Sequence, residues 1–269
     1  MPLQEAGVCP RFAWGPCMSQ KNNPMSPRAG ASHAFALCLW LLAGAGTGAH
    51  ADDFIVYSPH VNRGQSEIEL RGFYTTDDRF AFDGAAASEL SLAHAFTGWW
   101  KPEIYVVEYE NNPGENTGLV GYEVENTFQF TQPGEYWVDV GFLASLELPS
   151  IKHEHNRLEF GPLLEKTFGR FDHRLNLIWE KEIGAGASRH YEFRYSYSGT
   201  YALSGLFQPG IEFYGRPSDR AYQIGPIAHG EWHVPGITAD LEYRIGLLQG
   251  INADAPRHTW VAQIEYEFL

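Results

Sequence analysis

Residues 189–197 read RHYEFRYSY. In an extended chain Tyr191, Phe193, Tyr195 and Tyr197 fall on one side, and His190, Glu192, Arg194 and Ser196 on the other. Alternation of this kind belongs to a strand that separates an apolar medium from a polar one. The same period runs outward from this stretch in both directions. It predicts segments at 66–75, 88–96, 99–110, 119–130, 136–148, 156–168, 172–183, 189–197, 201–214, 222–233, 237–248 and 258–269. Two of them are irregular. Phe73 sits on the polar side of the first segment, and Ile104-Tyr105-Val106-Val107 is apolar on both sides of the third.

Most segments approach the ~9–11 residues that a tilted strand needs to cross a bilayer. The connections after the odd-numbered segments read as about five to twelve residues and those after the even-numbered ones as about two to five, the asymmetry of outer-membrane barrels. An even strand count returns both termini to one side. Period two by itself does not distinguish this from a soluble β-sandwich or lipocalin-like barrel, because inverting the faces leaves the pattern unchanged. Aromatic residues make up 14% of the chain, more than the inside of one small barrel holds. Mean hydropathy is only −0.30, as expected when apolar residues are hidden in alternation. The expected fold is therefore all-β, a single antiparallel transmembrane barrel of about twelve strands.

Residues 34–46 (AFALCLWLLAGAG) form the one long apolar run, the length of a signal-peptide core and too short to span a bilayer as a helix. Ala49-His50-Ala51 follows as a small-x-small cleavage pattern, so residues 1–51 are expected to be removed, with Met18 or Met25 as alternative starts. Residues 52–64 are then expected to form a periplasmic lead-in, and 65–269 the barrel. Cys9, Cys17 and Cys38 all precede the cut, which excludes disulfide and thiol chemistry from the mature chain. A net charge of −14 without a basic block argues against nucleic acid.

The terminal segment places Trp260, Ala262, Ile264, Tyr266 and Phe268 on one side, with Tyr266 and Phe268 in the pattern of a barrel-assembly signal; Leu269 after Phe268 departs from it. The stretch Gly64-Gln65-Ser66-Glu67-Ile68-Glu69, the Leu90-Ser91-Leu92 strand, the Thr97-Gly98-Trp99-Trp100 turn and the Gly161-Pro162 and Gly225-Pro226 pairs resemble proteobacterial outer-membrane proteins, including the transporter-like "MetA-pathway of phenol degradation" group. The resemblance implies an outer-membrane barrel of transporter type and carries no substrate or site residue.

On the polar faces, Glu67, Glu69, Arg71, Glu123, Glu125, Glu192, Arg194, Glu242, Arg244, Glu265 and Glu267 are the candidate pore-lining residues. Lines of carboxylates select for cations. The expected function is passage of small solutes across the outer membrane with a weak cation preference. A closed structural or adhesion barrel and a membrane-embedded lipid hydrolase are the alternatives. The expected partners are outer-membrane lipid, the assembly machinery and the solutes. No cofactor and no metal site are expected: His153-Glu154-His155 reads as a solvated loop tip, and His229 and His233 are about 13 Å apart along one strand. His190 with Ser196, and His94 with Ser88, share faces, but no Gly-x-Ser-x-Gly motif accompanies them.

Overall fold

A computed structural model describes residues 51–269 except 112, 114–117, 151–153 and 237, with the backbone alone described for 51 and 52. The expected leader with its cysteines and cleavage site up to His50, and His153, lie outside the described residues.

The chain forms twelve long strands and one two-residue strand: β1 (Ser66–Thr76), β2 (Ala86–His94), β3 (Trp100–Asn111), β4 (Gly118–Leu119), β5 (Gly121–Gln129), β6 (Asp139–Pro149), β7 (Asn156–Phe168), β8 (Phe171–Ile183), β9 (Glu192–Tyr201), β10 (Gln208–Arg216), β11 (Ala221–His233), β12 (Ala239–Gly250) and β13 (His258–Phe268). Each long strand pairs antiparallel with the next, and β1 also pairs with β13, so the sheet closes on itself. Closure leaves no unpaired edge for a bilayer to strand. Among the described residues no helix is long and apolar enough to cross a membrane.

The faces are assigned by burial. In β1, Glu67, Glu69 and Arg71 are buried inside while Ile68 and Leu70 are exposed outside. Tyr122 and Val124 of β5, Ile245 of β12 and Trp260 and Ile264 of β13 are likewise exposed, with Glu123, Glu125, Arg244 and Thr259 buried between them. Polar inside and apolar outside is the reverse of a soluble barrel and defines a transmembrane one.

The ambiguous third segment resolves into a β-bulge. The register between β2 and β3 shifts at Leu90/Ser91. Tyr105 and Glu108 turn inward at 1% and 2% exposure, while Val106 and Val107 both face out at 40% and 42%. One extra residue on the outside restores the alternation. The two Gly-Pro pairs interrupt the ladders of β7 with β8 and of β11 with β12 without changing register. Proline offers no N–H to the ladder, and a side chain at Gly161 or Gly225 would run into the carbonyl oxygen of Leu177 or Leu247 on the adjoining strand.

The connections depart from expectation. The turn after β5 spans residues 130–138, as long as the loop 77–85 after β1, whereas the connection after β10 is only 217–220. The segment expected from Tyr136 starts late: Pro133-Gly134 lies in the connection, Tyr136 and Trp137 are exposed, and pairing resumes only at Asp139. Likewise 189–191 and 202–207 lie in connections, and β9 and β10 begin later than their periodicity suggests. The end of the barrel where β1 starts and β13 finishes is termed below the terminal end, and the opposite one the loop end.

Candidate functional site

The interior of the barrel is the site, and the segment before β1 runs through it. Residues 52–64, expected as a lead-in outside the barrel, instead press against inward-facing side chains. Phe54 packs with Phe73, Ala85, Ala87, Tyr214, Leu248 and Val261. Tyr57 packs against Leu143, Leu163 and Ile178. The segment is pinned through its backbone, much as a strand would be. The Tyr57 N–H donates to Asn176 Oδ1 at 2.7 Å, and Asn176 Nδ2 donates back to the Tyr57 carbonyl at 3.0 Å. Ser196 Oγ donates to the Ile55 carbonyl at 3.0 Å, and the Val61 N–H to Gln129 Oε1 at 2.6 Å. Ser58 Oγ donates to Glu165 Oε2 at 2.7 Å. The His60 ring stands between Asp139 and Glu165, at 3.3 and 3.5 Å. Asp53 pairs with Arg216.

The physical reason is visible on the wall. Phe73, Leu143, Leu163, Ile178, Tyr214, Leu248 and Val261 are buried on the face that is otherwise polar. Together they offer an apolar plate to the Phe54-Ile55-Val56-Tyr57 run. Two cavities flank this layer. The larger, about 490 Å³, lies toward the loop end and is lined by Asp53, Phe54, Arg194, Tyr214 and Arg216 among others. The smaller, about 270 Å³, includes Ile55 to Ser58, His60, Glu67, Lys101, Glu265 and Glu267 and lies toward the terminal end.

All eleven residues singled out from the sequence belong to strand faces directed inward, but they form several groups. Arg71 joins Glu69 (3.3 Å), Glu89 (2.7 Å), Tyr57 Oη (3.4 Å) and Tyr105 Oη (2.8 Å). Tyr105 donates to Glu125 at 3.3 Å, and Ser145 donates to Glu123. Arg194 joins Glu159 and Glu180, and Glu192 stands 3.7 Å from Arg216 at the loop end. Arg244 closes on Glu212 and on Tyr214 Oη.

The carboxylates at the terminal end are different. Cross-strand register places Glu231 opposite Glu242, Glu242 opposite Glu265, and Glu265 opposite Glu69. A second row sets Asp240 opposite Glu267 and Glu267 opposite Glu67. Like charges directly opposite repel. Lys101 pairs with Glu67, and Gln263 donates to Glu69 at 2.7 Å. Glu242, Glu265 and Glu267 have no hydrogen-bond or ion-pair partner among the described residues. Carboxylate oxygens of Glu67, Glu265 and Glu267 lie within 4.8 Å of one another, close enough to share a cation, although no metal site was expected from the sequence.

The polar pairs considered for hydrolysis are engaged elsewhere. Ser196 holds the Ile55 carbonyl, and His190 lies in the connection before β9. His94 is 2.9 Å from Ser66 Oγ. His229 is 3.5 Å from Glu212 and His233 is 2.7 Å from Asp240. Sequence reading missed Phe54, Tyr57, Ser58, His60, Tyr105 and Asn176. The off-pattern Phe73 and the apolar run 54–57 were the available signals.

Fold and interior together define a transmembrane β-barrel with a charged lumen occupied by the segment before β1. No family model and no curated protein matches the chain. Among solved structures it is similar to an outer membrane channel from Pseudomonas putida F1, at 12% identity over 77% of this chain and 96% of that one, with a TM-score of 0.54. The NanC porin is similar at 12% identity over 75% and 99%, with a TM-score of 0.48. The first of these likenesses is one of fold.

Proposed function

We propose that the chain is an outer-membrane channel for small solutes, weakly cation-preferring, with its N-terminal segment as the restriction in the lumen. The rows of facing carboxylates at the terminal end, in which Glu242, Glu265 and Glu267 have no hydrogen-bond or ion-pair partner among the described residues, carry this reading. Charges aligned in a lumen walled by low-dielectric material raise the local concentration of counter-ions, and they cost free energy that a closed, structural lumen has no reason to retain. The fold similarity to the outer membrane channel of Pseudomonas putida F1 supports the transport role, and the resemblance of short sequence motifs to the "MetA-pathway of phenol degradation" group agrees with it. The terminal end faces the periplasm in this reading, and Tyr266 and Phe268 face lipid as the assembly signal. Cleavage after Ala51 leaves the new terminus beside Asp53 and the loop-end cavity, so that the segment ends within the barrel.

A closed structural barrel is the second reading, favoured by the apolar layer around Phe54. Ion flux separates the two. Planar-bilayer recordings of the mature chain under a salt gradient show discrete, cation-selective steps if the channel reading holds. A membrane-inserted, heat-modifiable protein that stays silent supports the closed barrel.

A further inference from the structure

The lipid-facing wall contains almost no charge. On the outward faces of the twelve long strands, two formally charged side chains occur among the described residues, Lys166 of β7 and Lys181 of β8. Lys166 is opposite His173 in the register of β7 with β8. From His173 to Lys181 is about 26 Å of strand at ~3.3 Å per residue. With a tilt of ~40° that is roughly 20 Å along the bilayer normal, near the ~25 Å apolar band of such barrels. Leu175, Leu177 and Trp179 fill the wall between. The two lysines therefore stand near the two headgroup levels.

They are not equivalent. Lys181 Nζ donates to the carbonyl oxygens of Ser188 and His190, the latter at 3.5 Å, and lies 5.6 Å over the Tyr191 ring. Its ammonium is satisfied by its own loop. Lys166 Nζ lies 5.5 Å from the Phe168 ring centroid and has no acceptor among the described residues. Next to it, Arg170 is exposed in the two-residue turn 169–170, also without an ion pair among the described residues. His173 binds Tyr197 Oη through Nδ1 at 2.8 Å, and no partner is found for its Nε2 among the described residues. Phe168, Phe171, Tyr197 and Tyr201 surround the group, the aromatic belt expected at headgroup depth. Nearby Asp172 belongs to the inward face, where it meets Arg174 at 3.1 Å.

We propose that Lys166, Arg170 and His173 form a binding site for the phosphate of an anionic glycerophospholipid in the leaflet at the terminal end. Charge complementarity carries the assignment: a chain of net charge −14 presents unpaired cations together, with no outward carboxylate beside them, where a lipid phosphate lies. The ammonium and guanidinium would hold the phosphate while the aromatic rings flank the upper acyl chains. The site stands on the outer wall and does not depend on whether the lumen conducts.

Native mass spectrometry of the mature protein in mixed micelles with equal phosphatidylglycerol and phosphatidylcholine tests this. The wild type retains phosphatidylglycerol several-fold over phosphatidylcholine. The Lys166→Gln/Arg170→Gln double variant loses the preference, and Lys181→Gln keeps it. Arg170→Gln alone, at an exposed turn position, gives a partial loss and serves should the double variant fail to fold. Equal retention of both lipids by the wild type, or an undiminished preference in the folded double variant, overturns the proposal. When lipid A is added in equal amount to the same micelles, its retention in place of phosphatidylglycerol overturns it as well.

Discussion

Phe54 meets Phe73 edge to face, with ring centroids 4.9 Å apart. The contact joins the segment before the barrel to the inner face of its first strand. Phe54 makes a second edge contact with Tyr214 of β10 at 5.5 Å, so one ring bridges the lumen between two parts of the wall. Truncating a buried Phe to Ala costs about 3–5 kcal/mol in a packed core. Phe54→Ala should therefore loosen the segment without breaking any strand pairing. The expected outcome is a severalfold rise in solute flux into liposomes, with unchanged heat-modifiable migration.

Asn176 and Tyr57 make a reciprocal pair of hydrogen bonds in which one side chain clasps both backbone groups of a lumen-segment residue. Asn176→Ala leaves the half-buried N–H and carbonyl of Tyr57 unsatisfied, each at up to about 1–3 kcal/mol. Amide exchange at Tyr57 should speed up in the variant by an order of magnitude or more, and that of β8 should not. Equal protection in both proteins would mean the segment is held elsewhere.

Asp77 ties two loops together at the loop end. It accepts from Arg79, and its Oδ2 accepts from the Arg257 N–H at 2.7 Å, while Arg79 donates to the Ala255 carbonyl at 2.7 Å. The Arg79 side-chain hydrogen bond, opposed in part by burial, holds the Asp77 carboxyl well below the usual aspartate range. A carboxyl depressed in the folded state stabilises above its ordinary pKa of ~3.9 and loses that contribution as pH falls below it. Loops 77–85 and 251–257 should thus resist proteolysis unchanged from pH 7 to about pH 5, weaken only below about pH 4, and open well below about pH 3. Asp77→Asn should open them at pH 7.

The barrel was legible because its polar and apolar sides alternate so regularly in β5, β9, β12 and β13. The period alone does not give the direction of the faces, since inversion leaves the string intact; the aromatic content pointed to polar sides inward, and closure and burial bear that out. The run Ile104-Tyr105-Val106-Val107 resisted reading because a bulge changes the period by one residue. Loop lengths misled where Pro133-Gly134 turns the chain without starting a strand. The largest miss, the segment 53–64 inside the lumen, is a tertiary event: the apolar run 54–57 asks for burial but does not say where. Its imprint was nonetheless present at Phe73, whose place on a polar face has no local explanation and is accounted for by Phe54.

Glu265 and Glu267 lie opposite Glu69 and Glu67 at the terminal end. Replacing both by Gln in a Glu265→Gln/Glu267→Gln variant removes two carboxyl groups from a cluster with few cations. The reversal potential under a salt gradient should move toward zero while the folded fraction holds or rises, because cross-strand repulsion is relieved. An unchanged reversal potential would place the ion path away from these residues.

The most direct measurement is single-channel recording of the chain 52–269 beside its Phe54→Ala variant, in planar bilayers under about a tenfold salt gradient. Discrete steps with a cation-favouring reversal potential, larger in the variant, are the predicted result. Silence from both proteins, each shown to be inserted and heat-modifiable, would contradict a conducting lumen restricted by its own N-terminal segment.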